Sequence, residues 1–207
     1  MTIWLLSLAL LAPVEATFDD PAGLPAGWTT AGGRWAVDSG RLVQSSLSAR
    51  GAYAWLTTSA WGDVDVSTRF RPNSTGSGVR AAGLVFRATD SRHGYYVHFD
   101  AANSQVVLVR QSAEQSWHEL ARRGGIPIAL DAWHEGRVVV RGALIEVFLD
   151  GREVASAEDA TYTAGYVGLR AGQGIIAFDN LRVDGKPAAC APFEVTMDPN
   201  DLSGLPR

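Results

Sequence analysis

Hydrophobic and polar residues alternate along most of this chain with a period of two, which places successive side chains on opposite faces of extended strands. The alternation is clearest in Asp65-Val-Ser-Thr-Arg-Phe, Ala82-Gly-Leu-Val-Phe-Arg, Tyr95-Tyr-Val-His-Phe-Asp and Val106-Val-Leu-Val-Arg. Each run is short and bounded by Gly, Asn, Asp or Pro, the residues that turn a chain most readily. Ile145-Glu-Val-Phe-Leu, Asp150-Gly151 and Arg152-Glu-Val-Ala predict a hairpin, because an Asp-Gly pair accepts the positive φ angles of a type I′ turn. Asn103-Ser104 predicts another, and Gly165 to Leu169 and Ile175 to Val183 predict two late strands. About a dozen short strands without an internal repeat predict an all-β fold of two packed antiparallel sheets.

One segment carries both signals. Ser112-Ala-Glu-Gln-Ser-Trp-His-Glu-Leu-Ala-Arg-Arg has a Ser-x-x-Gln capping box and a Gly124 stop, as a helix would. A hairpin is the reading adopted, since an isolated helix would interrupt the meander.

The two ends differ from the body. Residues 3–14 form an apolar run too short to span a bilayer, which takes about 20 residues, and of the length of a signal-peptide core. Val14-Glu15-Ala16 then reads as a small-x-small cleavage site, with the mature chain starting near Thr17. No Lys or Arg precedes the run, and a buried strand at the domain edge is the alternative for the same residues. No second apolar run is long enough for a membrane helix. At the far end, Asp184 to Arg207 holds four of the nine prolines, so it is expected to leave the sheet, with Phe193 and Val195 available to pin it. The division predicted is a signal peptide at 1–16, a sandwich at 17–185 and a Pro-rich tail at 186–207. It implies export, to the medium, periplasm or cell surface.

Composition narrows the function. A chain of 207 residues that is 46% hydrophobic and 19% charged can build one real core. A net charge of -4 gives no electrostatic footprint for nucleic acid. The single cysteine, Cys190, excludes an intramolecular disulfide and a cysteine-based metal cluster. His93, His98, His118 and His134 have no zinc-like spacing, and there is no phosphate loop and no Gly-x-Ser-x-Gly elbow.

An ordered series of short motifs carries a family resemblance. It opens with Phe18-Asp-Asp, Gly27-Trp28 and Gly33-Arg-Trp35-Ala-Val-Asp-Ser-Gly40-Arg-Leu42, and continues with Gly94-Tyr-Tyr-Val-His-Phe-Asp100 and Leu108-Val-Arg110. Trp133-His134, Val138-Val-Val-Arg-Gly142, Ile145 to Gly151, Gly165-Tyr-Val-Gly168-Leu169 and Phe178-Asp179-Asn180-Leu-Arg-Val183 complete it. Over residues 18–185 the chain resembles concanavalin A-like and laminin-G-like jelly rolls, most nearly the bacterial 3-keto-disaccharide hydrolase type of domain. The resemblance implies a β-sandwich, export and a carbohydrate partner.

Candidate chemistry follows from the alternation. On the strand from Tyr95 to Asp100, the residues Tyr95, Val97 and Phe99 share the core face and Tyr96, His98 and Asp100 the other. If the loop Thr89 to Gly94 closes tightly, Arg87 faces Tyr96, and the set could bind a sugar. Arg69 and Arg71 either widen that patch or are solvated. Trp28, Trp35 and Trp133 are expected in the core; Tyr53, Trp55, Trp61 and Trp117 are expected to form a stacking platform. Asp19 at the start of the fold and Asp179 in the last strand could share a structural Ca²⁺, which takes oxygen ligands.

Three functions stay open. A glycan-binding domain fits the aromatic patch and the scattered carboxylates; no Glu-x-Asp-x-x-Glu strand is present, which argues against a retaining glucanase. The resemblance implies instead a hydrolase of 3-keto-glycosides by elimination and hydration; on the strand's alternation, His98 could be its base, Asp100 the partner orienting that base, and Arg87 or a cation the group stabilising the enolate. A structural envelope protein that binds protein partners is the third.

Overall fold

A computed structural model describes residues 12–20 and 23–196. The apolar run expected to form the signal peptide lies outside the described residues up to residue 11. The described residues form fourteen strands. In chain order these are β1 (Val14–Ala16), β2 (Trp28–Ala31), β3 (Trp35–Val37), β4 (Leu42–Gln44), β5 (Ala52–Pro72), β6 (Ala81–Ala88), β7 (Gly94–Asp100), β8 (Gln105–Gln111), β9 (His118–Gly124), β10 (His134–Arg141), β11 (Leu144–Leu149), β12 (Arg152–Glu158), β13 (Gly165–Ala171) and β14 (Ile176–Ala188).

They build an all-β, two-sheet antiparallel sandwich hinged on the long strand β5. The first half of β5 pairs with β2 and β13, and the second half with β10 and β14. The first sheet runs β9–β8–β7–β6–β13–β5–β2, and the second runs β12–β11–β10–β5–β14, with β4 and β1 along the far side of β14. The passage between sheets falls near Trp61, where the β5–β13 register shifts. Alternation then sorts the side chains. Leu84, Phe86, Tyr95, Val97 and Phe99 of the first sheet meet Val66, Phe70, Val138, Val147 and Phe178 of the second in one core.

The hairpins follow the turn chemistry. Asp150 and Gly151 both take positive φ (49° and 77°), as a type I′ turn requires. The ambiguous segment is a hairpin: β9 pairs with β8, and Ser112 uses its hydroxyl to accept from the Gln115 amide. The capping-box residues thus close a turn, because pairing β9 along β8 satisfies its backbone. β14 runs five residues past the expected end, through Pro187, which stands at a register shift opposite Trp61. A proline is tolerated there because a shifted register asks no ladder donor of it. β1 is an edge strand, with Val14 opposite Val183 and Ala16 opposite Leu181.

Candidate functional site

The outer face of the first sheet carries two parallel rows of side chains. In the first, Val107, His98, Gly83, Arg170, Tyr53 and Ala31 stand side by side across β8, β7, β6, β13, β5 and β2. In the second, Val109, Tyr96, Val85, Gly168, Trp55 and Thr29 follow the same path. The glycines matter to both. A Cβ on Gly83 would lie 2.4 Å from the Val97 carbonyl oxygen and 3.3 Å from the Arg170 Cβ. One on Gly168 would lie 3.0 Å from the Trp55 ring.

Arg170 organises this face. Its Nη1 donates to His98 Nδ1 (2.8 Å), its Nε to the Tyr53 hydroxyl (3.1 Å) and its Nη2 to the Arg50 carbonyl (3.3 Å). Its guanidinium lies 4.6 Å from the Tyr96 ring centre and 5.5 Å from that of Tyr53, within cation–π range. Burial opposes its charge, and Tyr53 and Tyr96 favour it, with the balance above the ordinary arginine value. Since Nδ1 of His98 accepts from Arg170, the imidazole is neutral and carries its hydrogen on Nε2. Burial first, and then the fields of Arg170 and Arg122, hold His98 well below its ordinary pKa. Burial likewise raises the Tyr96 phenol.

Two elements cover the face. Trp117, 39% exposed, stands edge-on to His98 and Tyr96 with ring centres 5.6 and 5.9 Å away. At the other end the C-terminal segment crosses the sheet. Phe193 packs on Trp55 (5.1 Å) and Tyr166 (5.2 Å), and Val195 joins the same cluster. Ala191 accepts from the Tyr166 hydroxyl, and Ser91 holds Glu194 and Thr196. A cavity of about 10 Å³, water-sized, remains beside Tyr53, Trp55, Tyr96 and Gln111.

Several residues singled out in the sequence stand elsewhere. Arg87 is not opposite Tyr96; Val85 is. A left-handed residue at Arg87 (φ 47°) breaks the alternation and turns its side chain to the end of the sandwich. There it donates to the carbonyls of Gly62 (2.9 Å), Gly142 (2.8 Å) and Tyr162 (3.2 Å) and pairs with Asp63 (3.2 Å). Asp100 keeps the expected face, but it accepts from Asn103 and Gln105 and so ties the β7–β8 turn, with no bond to His98. Trp61 is buried in the main core, not on a platform. Tyr53 and Trp55 do stack (5.1 Å, 3° between planes), with Trp55 sealed beneath Phe193.

Trp133, expected in the core, is half-buried on the outer face of the second sheet, where Arg69 and Arg71 lie 5.0 and 5.7 Å from its ring centre. Those arginines therefore widen nothing near His98. Glu15, Glu135, Arg69 and Arg182 line a cavity of about 280 Å³ on that side. Arg170 was missed. Its strand inserts between β5 and β6 from far along the chain, and only that pairing brings it to His98.

Asp19 and Asp179 are brought near each other: burial first, and then the Asp19 charge, raise the Asp179 carboxyl. Two adjacent carboxylates suit a hard cation in charge. Arg69 and Arg41 act on the same group, and no cluster of three or more His, Cys, Asp or Glu forms among the described residues. No helix among them is long and apolar enough to cross a membrane.

Comparison with known proteins agrees with this architecture. The family model of the 3-keto-alpha-glucoside-1,2-lyase-like domain matches residues 14–184. Among curated proteins, the levanase of Bacillus subtilis (strain 168) is 24% identical over 156 residues, 75% of this chain and 22% of the levanase. An extracellular exo-alpha-L-arabinofuranosidase of Streptomyces chartreusis is 26% identical over 136 residues, 65% of this chain and 16% of that enzyme. The chain thus spans about a fifth of the length of these relatives. Among solved structures, the carbohydrate binding module CBM66 from Bacillus subtilis superposes with a TM-score of 0.68 at 23% identity, covering 77% of this chain and 96% of the module. The Ca²⁺- and Man3GlcNAc-bound exoplasmic domain of VIP36 does so with 0.61 at 14% identity, covering 80% and 86%.

Proposed function

The chain belongs to the family of 3-keto-alpha-glucoside-1,2-lyase-like domains, and on that footing we propose that it is an exported carbohydrate-binding domain. The glycan is taken on the outer face of the first sheet, at Trp117, Tyr96, His98, Tyr53 and Arg170. One observation carries the reading: an exposed indole stands at right angles on a row of polar and aromatic groups that are otherwise buried. Apolar faces of sugar rings stack on aromatic surface, and the hydroxyls need fixed donors nearby. Trp117 supplies the first, and Nε2 of His98 and the Arg170 guanidinium supply the second. The likeness in fold to a carbohydrate binding module supports sugar binding in general. The test is affinity electrophoresis in gels holding neutral and charged polysaccharides. Trp117→Ala is expected to raise the Kd about tenfold, the equivalent of about 1.4 kcal/mol, with the melting temperature little changed. Unchanged retardation would remove Trp117 from the site.

A second reading rests on the family description, which names lyase-type chemistry on 3-keto-glucosides. Such a reaction needs a base with a free lone pair at the acidified C2 hydrogen. His98 offers none at Nδ1, which accepts from Arg170, and Asp100 does not orient it. The geometry therefore favours binding over catalysis at His98. Incubating the protein with a 3-keto-disaccharide and its unoxidised parent separates the two: sugar release from the keto form alone, lost in His98→Ala, would reverse that preference.

Export is supported by the apolar run at 3–14 and by a relative described as extracellular. The family match begins at Val14, and cleavage after Ala16 would remove β1. N-terminal sequencing of the exported protein decides where the cut falls; a retained leader in a cytosolic product would sink export. A calcium ion held by Asp19 and Asp179 is also proposed. A melting temperature unmoved between millimolar Ca²⁺ and EDTA would count against it.

A further inference from the structure

Arg170 is 93% buried, a cation on the floor of the proposed site, and its protein partners are all neutral. They are an imidazole nitrogen, a phenol, a carbonyl and two tyrosine rings. Among the described residues no carboxylate lies within ion-pair distance of it. These bonds use three of its five N–H groups. Buried charges in proteins are as a rule paired, and the molecule follows that rule at its other buried arginine: Arg87 has Asp63.

The charged groups nearby are engaged with other partners and do not pair with Arg170. Arg122 acts on His98 together with Arg170. Asp100, two residues along β7 from His98, is held by Asn103 and Gln105, and Glu119 is engaged by Arg122. Arg170 is therefore an unpaired cation in a chain whose net charge is -4. Non-specific attraction of polyanions by the protein as a whole is thus no explanation for selective anion binding here.

We infer that the ligand of this face is an anionic sugar, and that Arg170 is the residue that selects it. The inference rests on the glycan reading above and names its chemical class. A guanidinium presents paired donors that match a carboxylate or a sulfate ester. An anionic group on the ring meets the unused N–H groups of Arg170, the neutral His98 adds a donor from Nε2, and the ring stacks on Trp117. Burial of the charge in advance keeps water from competing for it. A neutral sugar leaves the guanidinium without its counter-charge and binds less tightly.

The experiment uses the full chain and four probes: polygalacturonate, dextran sulfate, and the neutral polymers levan and pullulan, at fixed ionic strength. We expect a Kd for one anionic polymer at least tenfold below that for either neutral one, and galacturonate but not galactose to compete. The tighter anionic polymer tells carboxylate from sulfate. Arg170→Gln is expected to abolish the preference with the fold intact by melting, and Arg170→Lys to keep part of it. Equal or better binding of a neutral polymer overturns the inference and leaves the glycan reading standing; binding of none of the four overturns both. Should Arg170→Gln not fold, the wild-type comparison of galacturonate with galactose decides alone. A folded Arg170→Gln that keeps the full preference also overturns the inference.

Discussion

Arg87 and Arg170 sit on adjacent strands, at 2% and 7% exposure, yet their environments are opposite. Around Arg87 the chain converges three carbonyls and a carboxylate from the β5 bend, the β10–β11 turn and the loop before β13. Every direction is filled by protein, and the guanidinium fastens the end of the sandwich. Around Arg170 the chain provides neutral acceptors and ring faces, and leaves donors over. The comparison teaches that burial of a charge is not by itself a sign of function. What separates a fastener from a recognition group is whether the protein completes the cation's set of partners.

The sharpest way to break this contrast is to remove both cations. Arg87→Met strands three carbonyls, while Asp63 stays solvated and held by the Gly142 amide, and is expected to cost about 3–5 kcal/mol in urea unfolding, at roughly 1–2 kcal/mol for each acceptor left without its donor. Arg170→Met strands no anion and loses three bonds to neutral groups, for about 1–3 kcal/mol. Equal losses would erase the distinction.

A smaller effect concerns His98. Its folded pKa is depressed, so below the unfolded value of 6.5 the unfolded chain binds a proton that the native state refuses. Its contribution is therefore fully present above about pH 6.5 and is lost as the pH falls toward the folded pKa, at about 1.4 kcal/mol per pH unit for one proton. Stability curves of wild type and His98→Gln from pH 7.5 to 5 should diverge in that direction. Parallel curves would mean that His98 takes a proton readily in the fold.

The smallest effect is at the strap. Phe193→Ala should cost about 1 kcal/mol, the worth of a partly buried ring. It should also speed protease clipping in the segment 189–196 while leaving the sandwich whole. Unchanged clipping would show that Ser91 and Tyr166 hold the segment without it.

Most of the fold was legible because strand alternation and turn residues are local signals. The core face of Tyr95, Val97 and Phe99 and the Asp150-Gly151 turn follow from neighbouring residues, whereas the β8–β9 hairpin followed only from the meander around it. The site was half legible. Tyr96 and His98 share the face their alternation assigns, and Trp117 stands on it. Arg87 was misplaced because one left-handed residue shifts the register, and a strand pattern carries no sign of such a residue in advance. Arg170 was invisible because its neighbours come from β5, β6 and β7, and no local pattern says that β13 lies between β5 and β6. The strap was only partly legible: Phe193 and Val195 are the apolar residues of a Pro-rich stretch, but what they cover depends on tertiary placement.

Gly83 has a consequence for how such sequences can vary. A side chain there would run into the Val97 carbonyl and press on Arg170. The glycine at 83 is therefore demanded by the β7 backbone and by any Cβ at 170, so descendants of this sequence should keep it with or without the arginine. Lineages that lose the arginine would be free to change the residue at His98, whose neutral state that cation helps to enforce.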